Sequence, residues 1–154
     1  MSDIISQFFE KDHREIDALL EAVDYRRPQE SYETFHEFHM RLERHIHWEE
    51  GVLFPAVAQR APHLEMGPIR VMLSEHEQIR LHKSAALRAL KLGEGAGAQY
   101  AARTMLSVLA DHNAKEERIL YPACDSCFSD AEAEALLTKV RAMGPRKAKE
   151  RQPG

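Results

Sequence analysis

The 154-residue chain suits one domain with a sizeable core, and its 44% apolar and 30% charged residues are an ordinary globular balance. A net charge of -4 gives no overall basic character for nucleic acid, and no apolar run approaches the ~20 residues of a membrane helix. Met1-Ser2-Asp3-Ile4 is no secretory leader and two cysteines make no disulfide framework, so a cytoplasmic location is expected.

Helical periodicity runs through the chain without strand alternation. The first helix is expected from about Asp3, as N-cap, to Asp24, with Ile5, Phe8, Phe9, Ile16, Leu19, Leu20 and Val23 inward. Pro28 marks a turn, and a second helix runs from about Glu30 to Arg60, with Phe35, Phe38, Leu42, Ile46, Val52 and Leu53 inward. Gly51 and Pro55 predict a kink or break near its end. Ala61-Pro62 through Gly67-Pro68 reads as a connection. The third helix covers about Gly67 to Leu92, with Ile69, Met72, Leu73, Ile79 and Leu87 inward. Gly93, Gly95 and Gly97 form the next connection. The fourth helix covers about Ala98 to Cys124, with Met105, Leu106, Leu109, Ile119 and Leu120 inward. A short fifth helix starts at Ser129, where Ser-x-x-Glu132 fits a capping box. The polar, basic tail from Gly144 to Gly154 is expected to be disordered. The fold class is all-α: an up-down-up-down four-helix bundle over residues 1–128, a C-terminal helix over 129–143 and the tail.

The two halves resemble each other. Leu42 to Ala56 aligns with Leu109 to Ala123 at a constant shift of 67 residues, and Leu, His, Glu-Glu, Leu and Pro-Ala coincide. Glu10 to Ile16 aligns more weakly with Leu73 to Ile79, at a shift of 63. Each half therefore reads His … His-x-x-x-Glu. A site on the approximate two-fold axis would receive matched ligands from both halves.

Nine histidines is a high count for this length. Residues four apart on a helix lie about 40° apart, so His45 points with Glu49, and His112 with Glu116. His13 falls between Phe9 and Ile16 on its apolar stripe, and His76 between Leu73 and Ile79 on its own. Six ionisable groups would thus converge on one level of an apolar bundle. Each buried carboxylate left alone costs several kcal/mol or takes up a proton. A pair of cations removes the conflict: the glutamates bridge, each half gives two histidines to one ion, and coordination positions stay open. Mixed imidazole and carboxylate ligation suits iron, with manganese or zinc as substitutes. Any one of these histidines alone, or a lone His-x-x-x-Glu, would ordinarily be a hydrogen-bonded core residue or a surface ion pair. The repeated constellation is what argues for metal. Glu50 and Glu117 compete as bridges but lie about 140° from their histidines. His36, His39, His47 and His82 lie off the stripe and His63 sits beside a proline, so all five are expected at the surface.

On these motifs, His45-x-x-x-Glu49-Glu50 … Leu53-Phe54-Pro55 and His112-x-x-x-Glu116-Glu117 … Leu120-Tyr121-Pro122, the sequence resembles the hemerythrin family of HHE cation-binding domains over about residues 3 to 125. The resemblance implies a four-helix bundle with an oxo- or hydroxo-bridged di-iron centre held by His13, His45, Glu49, His76, His112 and Glu116. It departs from the oxygen carriers at Arg80, where they have a fifth histidine, and at Glu116, where their last carboxylate comes one residue later. The pattern is closer to bacterial hemerythrin-like proteins and iron–sulfur cluster repair proteins. The latter usually carry a cysteine-bearing segment ahead of the bundle, whereas this sequence opens almost at its first expected helix.

The function expected is a di-iron protein that binds or reduces dioxygen, nitric oxide or peroxide in an apolar pocket near Met72, Ile79 and Met105. The alternative is an iron- or oxygen-sensing or iron-donating module, and a structural zinc is the third reading. A monomer without nucleic-acid or membrane partners is expected. Cys124-x-x-Cys127 lacks the βαβ setting of a redox pair and the further ligands of a zinc site. A ferritin-like reading needs Glu-x-x-His on two helices. Glu10-x-x-His13 and Glu33-x-x-His36 match only superficially, because His36 points off the stripe and the His-x-x-x-Glu pairs go unused.

Overall fold

A computed structural model describes residues 3–143, and these form helices and turns with no strand. The first rod is α1 (Ile4–Glu21). The second is α2 (Pro28–Trp48), a π-helical turn (Glu49–Leu53) and α3 (Phe54–Arg60). A single turn, α4 (Pro62–Leu64), and a second π turn (Glu65–Ile69) lead into the third rod, α5 (Arg70–Lys91). The fourth is α6 (Gly95–Lys115), a third π turn (Glu116–Leu120) and α7 (Tyr121–Ser126), and α8 (Asp130–Ala142) follows. Contacts of α1 with α2, α2 with α5, α5 with α6 and α7 with α1 close the rods into a four-helix bundle. The expected tail, residues 144–154, lies outside the described residues.

At Gly51 and Pro55, where a kink or break is expected, the helix is unbroken but widens. Pro55 has no N–H, and its ring would strike the carbonyl four residues back in a regular α-helix. The π turn relieves this: the Phe54 N–H reaches the Glu49 carbonyl, five residues back, and Tyr121 N–H reaches Glu116 in the same way before Pro122. The connection expected over 61–68 is also largely helical. The fourth rod starts at Gly95 rather than Ala98. Gly93 has φ 77°, which needs no side chain, and a Cβ on Gly95 would stand 2.2 Å from the Tyr25 carbonyl oxygen.

Asp3 is the residue before α1, but its side chain makes no cap; it accepts from Gln7 at 3.0 Å. The cap comes from the end of the fourth rod, far along the chain but beside α1 in space. Asp125 accepts from Ile5 N at 2.9 Å, Ser6 N at 3.3 Å and Ser6 Oγ at 2.6 Å. A carboxylate there also opposes the positive end of the helix dipole. The Ser129–Glu132 capping box is formed, and Ala133, Leu136, Leu137 and Val140 of α8 join the bundle core.

That core is in two parts. One cluster holds Phe9, Leu53, Phe54, Met72, Leu120 and Tyr121; the other holds Ile16, Leu42, Ile46, Ile79, Met105 and Leu109. Each rod passes from one to the other through a buried polar residue: His13, His45 with Glu49, His76, and His112 with Glu116. Leu73, Leu106 and Ile119, expected inward, are exposed. The buried face of α5 is Met72, His76, Ile79, Lys83, Ala86 and Leu90, and Leu87, expected inward, is half-buried against the same core; the lysine on this face was not expected. Lys83 Nζ meets Glu43 at 2.5 Å. His63 is exposed, whereas His36, His39, His47 and His82 are half-buried; His36 stacks on Tyr32 at 5.9 Å.

Candidate metal centre

All six residues singled out from the sequence are buried and meet between the two halves of the core. They form two groups that share both glutamates: His13, His45, Glu49 and Glu116, then Glu49, His76, His112 and Glu116. Within each group one donor atom per residue lies within 4.8 Å of all the others.

The glutamates divide their oxygens. Glu49 Oε2 is 3.3 Å from His45 Nε2, while its Oε1 is 3.1 Å from His76 Nε2. Glu116 Oε1 is 3.2 Å from His13 Nε2, while its Oε2 is 3.2 Å from His112 Nε2. Each carboxylate therefore faces both groups, as a bridge between two cations does. The α-helical i to i+4 spacing of His45 with Glu49 and of His112 with Glu116 turns each glutamate inward, and a π turn begins at each of them.

Behind each histidine stands a carboxylate on its other nitrogen. Nδ1 lies 2.8 Å from Glu117 for His13, 2.8 Å from Asp12 for His45, 2.7 Å from Glu50 for His76 and 2.9 Å from Glu75 for His112. A carboxylate only accepts, so each Nδ1 carries a proton, and it is Nε2 whose lone pair becomes free for a cation when the imidazole is neutral. A cation backs each carboxylate in turn: Arg41 on Asp12, Arg80 on Glu50, Lys115 on Glu75 and Arg14 on Glu117. None of these four carboxylates was identified as an orienting group from the sequence, yet each is the chain neighbour of a ligand. Asp12 and Glu75 precede His13 and His76; Glu50 and Glu117 follow Glu49 and Glu116. Asp12 and Glu75 serve the histidine within their own half, Glu50 and Glu117 that of the other half, so the repeat extends to the outer layer.

Tyr121 was also missed as a site residue. Its hydroxyl donates to Glu49 Oε2 at 2.5 Å and lies 2.9 Å from Glu116 Oε1, 3.1 Å from His45 Nε2 and 3.3 Å from His13 Nε2. Burial pushes the phenol pKa well up, and Glu116 and Glu49 push it further.

The metal-free charge state is strained. Burial favours the neutral form of His45, but the Glu49 carboxylate overrides it and raises the pKa to about 10. Burial works against His76 as well, and its contacts with Glu49 and Glu50 raise it to about 9. Burial alone would raise Glu49, yet His45 and His76 hold it well below the usual carboxylate range. Even so, Glu49 Oε1, His76 Nε2 and Glu116 Oε2 make no hydrogen bond although they are buried. The 3.1 Å contact of Glu49 with His76 is close but not aligned as one. Each such atom costs about 1–3 kcal/mol. A cation facing inward lone pairs of imidazole and carboxylate relieves that cost, so the residues present fit a bound metal.

Residues 4–124 match the family model of the hemerythrin HHE cation binding domain. The chain belongs to the hemerythrin HHE cation-binding family. No curated protein and no solved structure matches it. Within this hemerythrin-like bundle, Arg80 turns away from the centre. It contacts Glu77 at 2.7 Å, Glu50 at 3.2 Å and Glu43 at 3.3 Å. The hemerythrin-like site therefore gathers four histidines.

Met72 and Met105 lie in opposite halves of the core, and Ile79 sits with Met105. A cleft of about 550 Å³ lies between α1 and α6, with Leu20, Ala102, Leu109, Asn113 and Glu117 in its lining. Cys124 is buried and burial pushes its thiol pKa well up; Cys127 is half-buried and both are free thiols. No helix among the described residues is long and apolar enough to cross a membrane.

Proposed function

We propose that the chain holds two iron ions on His13, His45, Glu49, His76, His112 and Glu116, and that this centre binds or reduces a small oxidant: dioxygen, nitric oxide or peroxide. The observation that carries the reading is the division of oxygens by Glu49 and Glu116, which makes two adjoining cation sites from two bridging carboxylates. Nitrogen and oxygen donors in equal part suit iron. When bound, the ions would supply redox equivalents and Lewis acidity at positions the protein leaves open.

The chain's own residues do the rest. Asp12, Glu50, Glu75 and Glu117 hold the four imidazoles in one tautomer and orientation, so little rearrangement is needed on loading. The two apolar clusters above and below the ligands keep bulk water away, which strengthens electrostatic interactions inside. Glu117 joins His13 to the cleft between α1 and α6, and is the route by which a proton enters or leaves the ligand layer. A diatomic molecule or peroxide acting on a single chain satisfies this arrangement.

The test is rapid mixing of the reduced, iron-loaded protein with dioxygen, nitric oxide and peroxide in turn. The reading expects a spectral change with at least one, absent from the Glu49→Ala/Glu116→Ala double variant. No change with any of the three would sink it.

A further inference from the structure

The centre is symmetric in its ligands but not in what closes it. Position 121 in the second half corresponds to position 54 in the first, and the chain carries Tyr121 in one and Phe54 in the other. Phe54 lies flat against His76, with centroids 6.1 Å apart and planes 9° apart, and offers no donor atom. The Tyr121 hydroxyl instead stands 2.5 to 3.3 Å from the inward atoms of His13, His45, Glu49 and Glu116. Those four are the first ligand group and no other.

These spacings carry a meaning beyond hydrogen bonding. Ligands about 2.1 Å from a metal and at right angles to one another lie about 3 Å apart. An oxygen at that distance from all four donors at once sits where a fifth ligand of the same ion belongs. In the second group the inward atoms of Glu49, His76 and Glu116 make no hydrogen bond, and no further His, Cys, Asp or Glu joins the four among the described residues.

We propose that the Tyr121 oxygen is a seventh ligand of the centre, given to the His13/His45 ion alone, so that the incoming small molecule binds at the His76/His112 ion against the face of Phe54. This rests on the dinuclear iron reading. Coordination takes the proton that the phenol otherwise shares with Glu49 and releases it to solvent; no electron moves. The ring is held for the role. Tyr121 is fully buried, with the Phe9 ring 5.3 Å away and tilted by 34°. The two ions are thereby made unequal: one is closed and the other takes the ligand.

The experiment compares native protein and Tyr121→Phe, both loaded with iron and oxidised, with iron counted in each. Native protein with two irons per chain shows an intense visible tyrosinate-to-iron charge-transfer band, and the variant with two irons loses it. A native protein that holds two irons without the band, or a variant that keeps the band unchanged, overturns the proposal while leaving the metal reading intact. A chain that retains no iron overturns both. Resonance Raman on native protein grown with ring-deuterated tyrosine needs no variant: the enhanced ring modes must shift. Enhanced modes that do not shift, or none, overturn it. Azide titration reads the second half. One azide per centre in native protein and a second in Tyr121→Phe is expected; two in native protein contradicts the confinement.

Discussion

Asp12 lies 2.8 Å from Nδ1 of His45 and turns that imidazole so that its Nε2 faces Glu49. Asp12 itself would be raised by burial, but its bonds to His45 and Arg41 hold it below its ordinary value. Asp12→Ala should weaken iron retention about 10- to 100-fold, as removal of a carboxylate behind a ligating histidine does. Glu75→Ala, its counterpart behind His112, should behave alike. Competition against a graded chelator measures both, and unchanged retention in either contradicts the orienting role.

The histidines predict how pH acts on the metal-free protein. His45 and His76 titrate near 10 and 9 when folded, against 6.5 when unfolded, so the folded state binds more protons in that window. Stability is then full below about pH 6.5 and falls as pH rises through 9 and 10. Bound ions displace those protons, so the loaded protein should lack this loss, and the Tm gap between loaded and metal-free protein should widen from pH 6.5 to 9. Calorimetry at stepped pH checks it; a metal-free Tm that stays flat or rises over that range contradicts it.

The lysine on the buried stripe makes a prediction away from the metal. Glu43 is the carboxylate that buried Lys83 and half-buried Arg80 share. Removing one partner of a buried ion pair costs about 3–5 kcal/mol. Glu43→Ala should therefore lower stability by an amount in that range in urea titrations, far more than Glu77→Ala, whose contact with Arg80 is exposed. Equal effects would contradict it.

The buried thiol predicts packing without chemistry. Cys124→Ala should cost about 1 kcal/mol, the size of a typical point substitution. Cys127→Ala should cost less, because Cys127 is only half-buried. Neither should change iron content, measured by elemental analysis; a loss of iron in either would assign the pair a role in the centre.

How far the sequence carried depends on the period of the helix. The ligand histidines and their apolar neighbours follow an α-helical stripe, and His-x-x-x-Glu brings each pair onto one face. Leu106 is exposed inside the regular helix α6, but beside the ligands the failures begin where the period changes. Ile119 is seven residues after His112 and would face inward on an unbroken α-helix, but the π turn rotates the chain so that Leu120 and Tyr121 take that place. Tyr121 is five residues after Glu116, about 140° away by α-helical reckoning. The i to i+5 turn brings its hydroxyl to 2.9 Å from that glutamate. The proline after each Glu-Glu was the signal: Pro55 was read as a kink or break and Pro122 as neither, and both mark a widened turn. The outer carboxylates were hidden differently. Each belongs to a histidine on another rod, so spacing along one helix does not reveal it. The cap on α1 comes from Asp125 for a similar reason, across 120 positions of chain.

Metal content per chain tests the central claim most directly, by elemental analysis of protein expressed with iron and never exposed to chelator. The account predicts close to two irons per chain in the native protein and a large loss in Glu49→Ala/Glu116→Ala. Near-zero iron, one ion per chain, or zinc in its place would contradict a dinuclear iron centre and leave the bundle with a structural or sensing role.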